Sequence, residues 1–344
     1  MVLTAAEPTR AALAPLERAV LLTLVYSDLF DYPLTAAELR RYLPVRCADA
    51  DLDAALDALG GQVERHGGYL CLAGREAIAG VRWRRAALAG ERWRAARRFA
   101  AWLRRVPFLR MVAVCGSQAV DNGGEDGDVD LFLITEPRRL WIVQSIVMAL
   151  RRLGRRRFGV AFCPNYLTTR ERLTIEDHNL YTAREIVQAV PLWGEGELRR
   201  FVDANRWVAR FMPQADLERG TQEGAERRRG ALERLLGGRL GDALDAAVYR
   251  ALLVYYRLRL RRRGWRRDDV ERAYRRDRQA LIADGYAGAV ARAFVERAAE
   301  TLARAGEAPT AQELARVFYG GAVPSGAADP HFAGLFHARY GGRR

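Results

Sequence analysis

From Met111 to about residue 197, short apolar runs alternate with stretches of helical periodicity, and few architectures accept that order. "MVAVC" and "VDLFLIT" are continuous apolar runs, as expected of strands covered on both faces. "PRRLWIVQSIVMALRRLG" reads as a helix with proline in its first turn and glycine at its end. "FGVAFCPNYLTT" reads as a third strand and "NLYTAREIVQAV" as another helix. The alternation predicts an α/β unit spanning residues 107–197, with helices packed on a small sheet.

The flanks read differently. Residues 14–80 suggest three helices and a hairpin: "PLERAVLLTLVYSDLF", a second helix opened by the Thr35–Glu38 capping box, "DADLDAALDAL", and two short strands around Gly67-Gly68. That order is the order of a winged helix. The third helix is acidic, which is wrong for an element lying along phosphates, so DNA is possible but not favoured. Residues 81–106 form an arginine- and tryptophan-rich helical linker, whose Trp83, Trp93, Phe99 and Trp102 are expected to pack on a neighbouring domain. From 198 to 344 the chain is expected to be wholly helical, with a break at Gly264, helices near 268–284 and 287–304, and a last one after the Thr310–Glu313 capping box.

The chemistry lies between the first two strands. "VAVCGSQAVDNGGEDGDVDLFLIT" carries Asp121, Glu125, Asp126, Asp128 and Asp130. Asp128 and Asp130 stand at i and i+2, so on a strand they share a face, where like charges repel without a cation. Mg2+ suits such hard oxygen donors, with substrate phosphates completing its shell. Gly116-Ser117, at the end of the first strand, offers backbone amides, a hydroxyl and open approach to a phosphate. Asp121, Glu125 and Asp126 are expected to be solvated loop acids. Read as a calcium loop from Asp126, the stretch has Leu131 where glycine is required and Pro137 where the bidentate acid belongs. A phosphate loop of the GxxxxGK[ST] type is impossible, because the chain has no lysine.

The pattern apolar-Gly-Ser, about ten residues, then Asp-apolar-Asp-apolar resembles the signature of the polymerase-β-type nucleotidyltransferase superfamily. The resemblance implies that Gly116 and Ser117 hold the triphosphate of a nucleotide and that Asp128 and Asp130 bind two catalytic Mg2+ ions. A wider resemblance, over residues 15–215, is to bacterial proteins that join a winged-helix-like start to such a domain, carried by "YSDLFDYPLT", "FCPNYLTT", "LYTAREIVQAVPLWG" and "DANRW". The family places a third carboxylate on a later strand, and here "FGVAFCPNYLTT" contains no acid. Asn165 is the nearest polar residue on it, while Glu185 and Asp177 are acids that follow.

The expected fold class is thus α+β: a small mixed-sheet nucleotidyltransferase-type domain between a winged-helix-like unit and a helical C-terminal region. The implied reaction moves a nucleoside monophosphate from a nucleoside triphosphate to a hydroxyl acceptor, either a small molecule or RNA. The alternative is a catalytically inactive protein of this fold that acts as a winged-helix DNA- or protein-binding regulator.

Composition adds little to that choice. The net charge of +14 would suit a polyanionic partner, but all 56 basic residues are arginine, the mark of a GC-rich coding bias whatever the partner. Arg138, Arg139 and Arg184 could reach phosphates, yet in so arginine-rich a chain each is expected at the surface. Cys47, Cys71, Cys115 and Cys163 form no CxxC pair and read as free thiols, Cys115 as core packing. His178 is expected at a surface or helix start. No signal peptide and no membrane-spanning run is evident, so the expected location is cytoplasmic, away from membranes.

Overall fold

In the computed structural model, residues 12–125, 127–217, 230–262, 264–280 and 284–323 are described. In chain order the elements are α1 (Pro15–Asp28), α2 (Ala36–Tyr42), α3 (Asp49–Leu59), β1 (Val63–His66), β2 (Tyr69–Leu72), α4 (Ala77–Leu103) and β3 (Leu109–Cys115). Then come α5 (Gly116–Ala119), β4 (Val129–Thr135), α6 (Leu140–Phe158), β5 (Phe162–Thr169), α7 (Leu180–Gln188), β6 (Val190–Trp193) and α8 (Glu195–Ala204). The last are α9 (Ala231–Leu235), α10 (Arg239–Arg261), α11 (Arg267–Ala273), β7 (Arg278–Ala280), α12 (Asp284–Arg304) and α13 (Ala311–Tyr319). The protein is α+β, with a mixed five-stranded sheet and a separate two-stranded one.

Two compact units are present. Among the described residues, one takes the chain up to Val81, Ala209–Ala215 and the chain from Gly288; the other takes Arg82–Val208 and the stretches between Asp216 and Ala287.

The first unit is built on α1, which buries ten consecutive residues, Ala19 to Asp28. α2 opens on the expected capping box: Thr35 Oγ1 accepts the Glu38 amide at 3.2 Å and Glu38 accepts the Thr35 amide at 2.9 Å. β1 and β2 are antiparallel across Gly67 and Gly68, both at positive φ as a two-residue turn requires. An isolated antiparallel bridge joins Leu34 to Leu70, adding a third short pairing to the hairpin. The buried Asp28 carboxylate lies between two guanidinium groups, Arg75 Nε at 2.5 Å and Arg297 Nη2 at 2.8 Å. Gln214 brackets Cys47, accepting its amide at 2.6 Å and donating to its carbonyl at 3.2 Å. The Thr310–Glu313 box likewise starts α13.

The second unit carries the five-stranded sheet, in the order β6-β3-β4-β5-β7, with β4 and β5 parallel and the other pairs antiparallel. Side chains alternate across a strand. Val129, Leu131 and Leu133 of β4 and Val112 and Val114 of β3 enter one core with Phe99 of α4, Trp141 of α6 and Phe162 of β5. Asp130 and Phe132, and Cys115 on β3, therefore face the other side, where Phe132 meets Phe201 of α8 at 4.6 Å. Phe99 stacks on Phe162 at 4.2 Å, and Trp93 and Trp102 pack against the same core, whereas Trp83, expected in the same stripe, is exposed because it lies at the start of α4, away from that core cluster.

Several expectations are corrected. α6 does not end at Gly154; it runs to Phe158 and stops at Gly159, whose φ of +70° is the left-handed geometry of a helix cap. The region beyond 198 is not wholly helical, because β7 interrupts the helix expected at 268–284 and joins the sheet edge. The helix read over 179–190 stops at Gln188, and its last residue, Val190, opens the unexpected strand β6. The helical stretch expected to run up to the break at Gly264 is already interrupted at Gly237 and Gly238, between α9 and α10. Arg139 is not at the surface: it is 3% exposed, donates to Leu236 O and Gly238 O at 2.9 and 3.1 Å, and pairs with Asp242 at 2.5 Å, fixing that split. Arg184 is buried as well. Arg138 is exposed and pairs with Asp242. No helix among the described residues is long and apolar enough to cross a membrane. The tail 337–344 and the start of the chain to residue 11 lie outside the described residues.

Candidate functional site

Chain geometry at the end of β3 sets the site. Gly116 adopts φ +66°, a left-handed turn that takes the backbone out of the strand into the single turn of α5. A Cβ on Gly116 would stand 2.9 Å from Asp130 Oδ2. Glycine is thus required twice, by backbone conformation and by the carboxylate that leans on it. The pairing of Cys115 with Asp130 across β3 and β4 puts that carboxylate at the turn.

A second carboxylate reaches the same glycine. Glu185 Oε2 accepts the Gly116 amide proton at 3.1 Å. Glu185 lies on α7, whose start is fixed by Asn179 Oδ1 accepting the Thr182 amide at 2.8 Å. Burial pushes the Glu185 carboxyl up to about 7; the Asp130 charge adds to the rise, and the Gly116 amide opposes it. The Cys115 thiol, buried beside both acids, is driven well up by burial and then by their charges, which disfavours its thiolate.

The loop between turn and strand is held from α4. Arg92 donates to three carbonyls, Gly123 at 2.9 Å, Gly124 at 2.5 Å and Glu125 at 2.6 Å. Arg85 donates to Asn122 Oδ1 at 3.0 Å, Gln118 to Ala89 O at 3.3 Å, and Trp93 Nε1 to Asp121 Oδ1 at 2.6 Å. Residues 85, 89 and 92 recur at helical spacing, so one face of α4 serves as the loop's clamp. Asp121 is therefore exposed yet engaged, rather than a merely solvated acid; Glu125 is exposed, and Asp126 lies outside the described residues.

Asp128 immediately precedes β4 and is half-buried; Ser117, half-buried too, accepts the Asn122 amide at 2.8 Å through its carbonyl. Asn165 is the extra residue of a bulge in β5, between Pro164 paired with Leu131 and Tyr166 paired with Phe132. It is buried, with its Oδ1 lacking a partner among the described residues. Asp177 and His178 are exposed on the approach to α7, His178 stacked on Trp207 at 4.2 Å. Among the described residues no group of three or more His, Cys, Asp and Glu side chains is placed to hold a metal ion. The acids brought together at Gly116 are Asp130 and Glu185.

A cavity of about 100 Å3 opens beside them on the same face of the sheet. Tyr181, Thr182, Glu185, Ile186 and Ala189 present one helical face to it, opposite Phe132 and Tyr166. The sequence offers Glu185, beside Asn165 and Asp177, as a candidate for the third site residue, but no spacing places it there. The readable signal was its place four residues after Tyr181, a carboxylate on the inward side of an amphipathic helix. Comparison with protein-family models, curated proteins and solved structures finds no match to this chain.

Proposed function

We propose that this protein is an Mg2+-dependent nucleotidyltransferase that moves a nucleoside monophosphate from a nucleoside triphosphate to a hydroxyl acceptor. The observation that carries the reading is the meeting of two carboxylates, Asp130 and Glu185, at the left-handed glycine that ends β3. Two acids so close repel, and the rise of Glu185, due first to burial, carries that repulsion as its second cause. A divalent cation relieves it, so the donor chemistry fits Mg2+.

Asp128 and Asp130 would hold the ion, which, when bound, neutralises charge on the triphosphate and on the departing pyrophosphate. Ser117 offers its hydroxyl to the phosphates. Gly116 contributes open approach rather than a donor, because its amide proton is engaged by Glu185. Glu185, held near neutrality, accepts the proton of the acceptor hydroxyl as its oxygen bonds to the α-phosphorus and the bond to pyrophosphate breaks. The Arg92 clamp keeps the 123–125 backbone in place, so the turn need not be ordered by the substrate.

Titration of Mg2+ with each nucleoside triphosphate into the full chain is the test. Saturable, Mg2+-dependent binding that Asp130→Asn abolishes is the expected result. No binding to the unmodified chain under any of the four triphosphates removes the reading.

The order α1, α2, α3, hairpin, with Leu34 bridged to Leu70, supports a winged-helix reading of the first unit. Its α3 exposes Asp49, Asp53 and Asp57 along one side and Asp51 on another, a surface that repels phosphates. A basic protein surface is the better partner for it than duplex DNA. Duplex binding that falls steeply with salt, combined with no nucleotide binding, would instead favour an inactive scaffold with a DNA-reading unit.

A further inference from the structure

The cavity beside Glu185 has its own chemistry, and one residue of it stands out. Arg278, on β7, pairs with Thr168 and shares a face with Ala280 and Tyr166, both of which line the cavity, as Arg278 does. It is only 7% exposed. Its guanidinium bonds to the Tyr166 hydroxyl, yet its Nε has no acceptor. Among the described residues it forms no ion pair, whereas Arg272, also on the cavity wall, is neutralised by Asp269 at 2.7 Å. A buried cation with an unmet donor is unfavourable until an anion or acceptor meets it.

The rest of the wall is largely apolar and aromatic. Phe132, Tyr166, Tyr181, Phe201, Ile175 and Ile186 surround the space, with Phe132 and Tyr166 at 5.3 Å edge to face. An apolar cavity of about 150 Å3 holds a benzene ring, so about 100 Å3 with an open side admits one ring-sized body and excludes a polynucleotide. The charge balance narrows the anion. Arg278 is the one cation of the wall that has no ion pair among the described residues, while Asp177 and Glu185 border the space elsewhere, so a monoanion held directly on Arg278 is favoured over a phosphate dianion, which the two acids repel.

We infer that this cavity binds a small organic acid with one ring-sized apolar body, its carboxylate on Arg278. Glu185 borders the same space, so a hydroxyl on the molecule's other end is carried towards Gly116 and Asp130. On the transferase reading, and resting on it, this molecule is the hydroxyl acceptor, which makes the substrate a hydroxylated small carboxylate rather than RNA. The binding claim itself needs neither nucleotide nor metal.

The test uses the full chain without Mg2+ or nucleotide, and four probes built on one phenyl ring: 4-hydroxybenzoate, phenol, 4-hydroxybenzylamine and phenyl phosphate. Affinities are read by ligand-observed NMR and calorimetry. The expected order places 4-hydroxybenzoate at least tenfold tighter than phenol, with the amine and the phosphate weaker still. Arg278→Gln brings hydroxybenzoate to within about twofold of phenol and leaves phenol unchanged, while Arg278→Lys retains part of the preference. Ala273→Leu, which fills the wall, weakens all four probes. Should Arg278→Gln not fold, the probe order on the unmodified chain decides alone. Binding of none of the probes, equal binding of phenol or the amine, or preference for phenyl phosphate overturns the inference. A separate addition of Mg2+ and nucleoside triphosphate reads transfer to the hydroxyl. Acid binding without any nucleotide binding would leave the cavity assignment standing and remove only its role as acceptor site.

Discussion

Glu185 and Gly116 are 69 residues apart, yet the Glu185 carboxylate accepts the Gly116 amide proton at 3.1 Å. On the other side of the same glycine stands Asp130, so close that a single methyl group would strike it. The glycine acts as a spacer, thin enough to let two acids share a corner of the sheet, and the electrostatics of the site follow from that arrangement.

Stability without metal should fall as pH rises through neutrality. The Glu185 carboxyl, ordinarily at 4.5, is pushed up to about 7 by burial and by Asp130. The native state therefore keeps a proton that the unfolded chain has released between those values. Its stabilisation is complete below about pH 4.5 and lost as pH rises through about 7, a change of at most about 3 kcal/mol. Urea unfolding in chelator at pH 5 and pH 8 measures it, and Glu185→Gln should flatten the slope. An identical slope in the variant would show that another group is responsible.

Gly116→Ala should destabilise the protein by about 2 kcal/mol or more. The substitution forces a side chain to φ +66° and sets Cβ 2.9 Å from Asp130 Oδ2. Pairing it with Asp130→Gly, which removes the obstacle but leaves the dihedral, should recover part of the loss. A double-mutant cycle by chemical denaturation reads the coupling.

Arg92→Lys keeps the charge but loses the fork that spans three carbonyls. A loss of about 2 kcal/mol is expected, since a single ammonium cannot bridge Gly123, Gly124 and Glu125 together. Amide exchange at residues 123–125 should quicken while that of β3 is unchanged. Slow exchange there in the variant would mean that the loop holds itself.

Gly154→Ala sets two effects against each other. Alanine gains about 1 kcal/mol over glycine inside a helix. Its Cβ would lie 2.9 Å from the ring of Phe99, which is fully buried and stacked on Phe162, and overpacking of that kind costs about 1–3 kcal/mol. The net result should be destabilising, by about 1 kcal/mol, and Phe99→Leu should reverse its sign in thermal melts.

Much of the central fold could be read from the residues because local and long-range demands agree there. "VDLFLIT" is β4 to the residue, and both capping boxes form where Thr and Glu stand three apart. The misreadings lie where local pattern and tertiary demand part. Gly154 looked like a helix end, but it is the place where α6 comes against Phe99. β6 and β7, of four and three residues, are edge strands too short for alternation to appear, and "RQA" carries no apolar signal. Arg139 is buried because α9 and α10 leave carbonyls that need a donor, a need written elsewhere in the chain. At the site, the Gly-Ser turn and Asp130 are near neighbours in sequence and can be read together. Glu185 arrives only through the packing of α7 against the sheet, which no spacing rule reports.

The first unit is assembled from three separated stretches of chain, and this imposes an order in time. Asp28 finds one of its two guanidinium partners 269 residues downstream, in α12. A ribosome releasing this chain delivers α1, α2, α3 and the hairpin first, then the whole sheet-bearing unit, and only afterwards Arg297. The part made earliest is thus completed last, and a chain cut short before Gly288 can hold a finished sheet while Asp28 still lacks its second cation.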